Sequence, residues 1–104
     1  MPMLSIIDAE SILSILQQHR PELERAGIRH LSLFGSIARG EADPDSDVDL
    51  VAELDRDAHI GLFGLVSLER RLGDLLGRKV DLIPEPVQKQ RLQKNIDRDR
   101  RRAF

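Results

Sequence analysis

The sequence contains no cysteine, tryptophan, tyrosine or threonine in its 104 residues. Without cysteine there is no disulfide, no thiolate metal site and no thiol nucleophile, and a reducing cytoplasmic setting is expected. Three phenylalanines are its only aromatic side chains. That is too few to stack successive bases, so direct nucleic-acid binding is not expected. No stretch is apolar for long enough to cross a bilayer, and no basic-then-apolar leader follows Met1. The expectation is a soluble protein, neither secreted nor membrane-spanning.

What is present is one small domain, residues 1–104, with 40% apolar residues to fill a core. The net charge of −2 hides an asymmetry. Residues 89–104 hold seven Lys/Arg against two Asp, on a body that is otherwise acidic. Such a basic end reads as an interaction tail or as the charged face of a solvated helix. Asp8 can cap a helix carrying Ile12, Leu13, Ile15 and Leu16 at helical spacing. Pro21 stops that helix or starts a short second one, and Gly27 closes it. Ile28 to Phe34 reads as a strand, and Val48 to Leu54 as another. The helix Leu62 to Leu76 carries Leu65, Leu68, Leu72, Leu75 and Leu76 on one face, with Gly77 as its stop. Lys79 to Ile83 is a third strand ended by Pro84 and Pro86, and Val87 to Arg102 fits a polar terminal helix. The order predicts an α/β (α+β) domain: a small mixed sheet with helices on one face and the other face partly open.

The chemistry is concentrated in residues 35–50. Gly35-Ser36 follows a strand, Gly40 to Ser46 can only be a polar loop, and Asp47 and Asp49 flank Val48. Side chains two apart on a strand share a face, so both carboxylates project together. Asp81 alternates with Val80 and Leu82 and joins them on the open face. Clustered carboxylates favour hard cations such as Mg²⁺, and two such ions can clamp an in-line displacement at phosphorus. The Gly-Ser turn offers backbone N–H groups and a hydroxyl to phosphate oxygens, and Arg39 can reach phosphate or pair with an aspartate. Together these parts describe phosphoryl or nucleotidyl transfer. Two rival motifs fail. A P-loop would need Lys and Ser or Thr where Glu41 and Ala42 stand. A calcium loop would need Gly at Val48 and Glu at Leu54.

Gly35-Ser36, ten residues and then Asp47-x-Asp49 resembles the signature of the nucleotidyltransferase superfamily that includes DNA polymerase beta. Phe34-Gly-Ser-x-Ala-Arg-Gly40, Ser46-Asp-x-Asp-Leu50 and Val80-Asp-Leu82 are similar, more narrowly, to the minimal nucleotidyltransferase (MNT) proteins. The resemblance covers about residues 9–83. It implies a palm-like mixed sheet flanked by helices, with metal ligation by Asp47, Asp49 and Asp81. It also implies Asp81 as base toward the incoming hydroxyl, and nucleotide contacts from Gly35 and Ser36. The function it implies is that of an antitoxin transferring AMP from ATP to a tyrosine of a partner HEPN-domain ribonuclease toxin, in a possible hetero-oligomer. A binding antitoxin that acts by occlusion, or the catalytic subunit of a small-molecule nucleotidyltransferase, would use the same residues. Lacking tyrosine, the chain cannot modify a tyrosine of its own. The resemblance weakens at the very basic segment Asp97 to Phe104, where an amphipathic helix would be expected.

Overall fold

The computed structural model describes residues 8–41, 43 and 45–104. The first helix, α1 (Ala9–Gln18), starts at Asp8, whose side chain accepts from the Ser11 N–H and satisfies one of the unpaired donors of the first turn. Its buried residues are Ala9, Ile12, Leu13 and Leu16, the expected stripe. Pro21 does not stop the chain. It stands at the start of α2 (Arg20–Arg25), where a missing N–H costs no helical bond. Strand β1 (Ile28–Phe34) leads into a single helical turn, α3 (Gly35–Ala38). After the acidic loop come β2 (Val48–Leu54), a short 3-10 turn and α4 (Leu62–Leu76), which ends at the left-handed Gly77.

Strand β3 (Val80–Glu85) runs through Pro84 rather than stopping at Ile83. The reason is its place at the sheet edge. The Leu82 N–H points outward, to the Glu69 carboxylate on α4. Two residues on, the Pro84 nitrogen faces the same outward way, so its missing hydrogen removes no ladder bond.

The chain ends with α5 (Gln90–Asp99) and a two-residue strand, β4 (Arg101–Arg102). The sheet order is β3-β2-β1-β4. Strands β1 and β2 are antiparallel, β2 and β3 are parallel through the α4 crossover, and β4 lies antiparallel beside β1. This is the mixed sheet flanked by helices that the sequence predicts.

Two expectations are corrected. Helix α5 stops at Asp99, and the basic end is not a tail. Arg101 and Arg102 pair with Leu33 and Ser32, while Ala103 and Phe104 enter the core. The second face of the sheet is also partly covered. The main core lies between the sheet and α1, α2 and α4, but Phe34 and Val51 on the other face pack against Ile96 of α5, with Leu92, Ile83 and Val87 around them. Only two apolar residues of α5, Leu92 and Ile96, make that contact, a pair one turn apart in a strongly polar helix. No helix of the described residues is long and apolar enough to cross a membrane.

Candidate active site

The carboxylates are carried where β2 and β3 begin. Asp49 and Asp81 are register partners on these parallel strands, which places their side chains on the same face, about 4.8 Å apart along the ladder direction. Asp47 precedes Asp49 by two residues and stands just before the strand. The leucines of both strands, Leu50 and Leu82, are buried on the opposite face. Alternation thus divides the strand starts into a hydrophobic side and an acidic side.

Gly35 completes the floor. Phe34 pairs with Asp49 across β1 and β2, which brings the next residue, Gly35, against the Asp49 carboxylate. Gly35 adopts φ +82°, a left-handed conformation that side chains resist. A Cβ there would lie 2.3 Å from Asp49 Oδ2. The backbone conformation demands glycine, and a Cβ would also displace the Asp49 carboxylate, so the main chain at Gly35-Ser36 lies directly beside Asp49.

The site is electrostatically unbalanced. Burial pushes the Asp49 carboxyl above its ordinary value, and the neighbouring Asp81 and Asp47 carboxylates raise it further, with Arg39 opposing them from a distance. Lys79 Nζ lies 3.9 Å from Asp47 Oδ2, with both groups in solvent. Arg39 does not extend into the cluster. Its guanidinium binds the Asp99 carboxylate at 2.8 Å and Glu41 at 3.1 Å, tying α3 to the end of α5. The Asp99 side chain is buried there between Arg39 and Arg98.

Three oxygen-donor groups of one sign beside an open backbone turn fit a hard divalent cation with a phosphate ligand. Among the described residues no three carboxylate or imidazole groups are already gathered around one point. Asp47, Asp49 and Asp81 are brought to one end of the sheet with Gly35 and Ser36, and Arg39 is turned toward α5.

Two residues escaped the sequence reading, Asp99 and Arg78. Asp99 had no signal beyond its place in a charged run. Arg78 directly precedes the Lys79–Ile83 strand, and its guanidinium reaches back to the Ser46 carbonyl.

Two surface grooves lie elsewhere. One, of about 850 Å³, is lined by Glu53, Glu85, Arg29 and Arg56 at the far end of the strands. The other, of about 360 Å³, lies between α1 and α3. Neither is lined by the three aspartates.

Residues 11–104 match the model of the nucleotidyltransferase domain family. Over 97 residues the chain is 38% identical to the protein adenylyltransferase MntA of Thermococcus cleftensis, covering 92% of this chain and 96% of that one. A solved structure of a provisionally assigned minimal nucleotidyltransferase is 30% identical and superposes with a TM-score of 0.75, covering 91% and 95% of the two chains. The fold also matches, at 15% identity and a TM-score of 0.64, a structure of a tri-AMPylated HEPN toxin from Shewanella oneidensis in complex with its MNT antitoxin. That match covers 88% of this chain and 71% of the other.

Proposed function

This chain belongs to the nucleotidyltransferase domain family as a minimal member, and from that premise we propose that it is an antitoxin that transfers AMP from ATP to a tyrosine hydroxyl of a HEPN ribonuclease toxin. The observation that carries the reading is the register pairing of Asp49 with Asp81 beside the sterically required Gly35. The 38% identity to an adenylyltransferase supports adenylyl as the group transferred.

In this mechanism Gly35 and Ser36 hold the triphosphate against the start of β2. Asp47 and Asp49, with Asp81, would hold Mg²⁺. When bound, the cation neutralises the phosphates and makes the α-phosphorus more electrophilic. The acceptor oxygen attacks that phosphorus, a new P–O bond forms, the bond to the β-phosphate oxygen breaks, and pyrophosphate leaves. Asp81 accepts the hydroxyl proton. The residues contribute position and charge rather than covalent chemistry. The aspartates stand partly exposed at the strand starts, outside both grooves, which suits an acceptor carried on the surface of another protein.

The test is the intact mass of a candidate HEPN toxin after incubation with this protein, ATP and Mg²⁺. Gain of one or more AMP units, absent with Asp47→Ala, is the expected result. An unchanged mass in a stable inhibitory complex would replace transfer by occlusion. Transfer to a drug or metabolite alone would replace the protein acceptor.

A further inference from the structure

The loop that delivers Asp47 is built from weak local contacts. The Asp43 N–H donates to the Ser46 hydroxyl at 2.9 Å, the Asp45 N–H to the Asp43 carboxylate at 2.8 Å, and the Ser46 N–H to the Asp43 carbonyl at 3.0 Å. These bonds shape the turn. Its ends are held by the Glu41 N–H to the Ser36 carbonyl at 2.8 Å and the Val48 N–H to the Lys79 carbonyl at 2.9 Å.

Arg78 adds an attachment between those ends. Its Nη2 donates to the Ser46 carbonyl at 2.6 Å and, more weakly, to the Asp43 carbonyl at 3.4 Å. The Ser46 carbonyl belongs to the peptide group that leads directly into Asp47. The base of Arg78 is itself fixed. Gly77 closes α4 in the left-handed conformation, and the N–H groups of Gly77 and Arg78 both return to the Gly73 carbonyl. A planar guanidinium on such a base sets direction as well as distance, which a flexible ammonium does not.

We infer that Arg78 is the positioning residue of the acidic site: it anchors the loop before Asp47 so that this carboxylate faces Asp49 and Asp81. Arg78 touches neither nucleotide nor acceptor in this role. The inference rests on the reading of the three aspartates as one cation site, and it names the element that assembles them.

The experiment is a titration of the full-length, isotope-labelled protein with Mn²⁺ alone, read by paramagnetic broadening of its amide signals. In the wild type, signals of Asp47, Asp49, Asp81 and Gly35 should broaden first. Arg78→Gln should need at least several-fold more Mn²⁺ for the same broadening, with the Ser46 and Asp47 amides shifted before any metal is added. Arg78→Lys should fall between the two and keeps the question open to test if the Gln variant does not fold. Arg71→Gln removes an arginine of α4 that pairs with Glu22 away from the loop, and should match the wild type. If the Arg78 variants titrate like the wild type while Asp49→Asn loses the effect, the positioning role is overturned and the cation site stands. If the wild type shows no broadening at the aspartates, the site itself is overturned, and the role of Arg78 with it.

Discussion

Gly35 and Asp49 show how closely this site is drawn. An alanine at 35 would need both an unfavourable φ and the space of the Asp49 carboxylate. Gly35→Ala should therefore reduce AMP transfer by at least about 100-fold, as ångström-scale misplacement of reacting groups does. It should also lower stability by ~1–3 kcal/mol from backbone strain. Initial rates and denaturant midpoints on the same sample check both. Burial and two like charges disfavour the charged form of Asp49, at a cost to the fold. Asp49→Asn should abolish transfer yet raise the melting temperature in chelator by a few degrees, the size of ~1 kcal/mol in a domain of this length. A fall in melting temperature would mean that the carboxylate is a structural partner instead.

At the scale of elements, the end of the chain is the segment least like its first appearance. Phe104 is buried at 8% exposure beside Leu31, whose N–H donates to the Phe104 carbonyl, while Arg20 lies over its ring. Phe104→Ala should cost about 3–5 kcal/mol, the usual range for a core phenylalanine, measured by urea unfolding. Helix α5 is held to β3 by Glu85, which takes two bonds from Arg100 and one from Gln93. The Arg100 bonds hold the Glu85 carboxyl below its ordinary value, more than offsetting burial, and the Gln93 bond acts in the same direction. A lowered carboxylate pKa in the folded state gives stability that is fully present above the unfolded value near 4.5 and is lost as pH falls through the folded value. Glu85→Gln should cost ~2 kcal/mol at pH 7, the scale of charge-assisted bonds. It should also flatten the acid side of the stability profile, which melting curves from pH 7 to 3 would show.

Across the whole molecule, chemistry and bare apolar surface stand at opposite ends. The aspartates occupy the start of β2 and β3. Leu62, Phe63 and Val66, exposed on the first turns of α4, follow the far end of β2. Phe63 is 89% exposed, so Phe63→Ser should leave stability within about 0.5 kcal/mol by thermal melting.

Local sequence alone determined most of the elements and the candidate site. Strand alternation put Asp47, Asp49 and Asp81 opposite the leucines, the leucine period marked α4 from Leu62 to Leu76, and Gly77 marked its end. These are short-range effects of side-chain period and backbone conformation, so a linear reading captures them. The tertiary structure decided what depends on distant partners. A run of three arginines has no strand period, yet β1 had an unpaired edge, and Arg101 and Arg102 satisfy it while Phe104 fills the core beneath. Pro84 stays in β3 because that strand is the sheet edge. Ile96 covers Phe34 and Val51 because the sheet had a second apolar patch for α5 to bury. Arg39 turns to Asp99, sixty residues away, because a buried carboxylate needs a cation more than an open loop does.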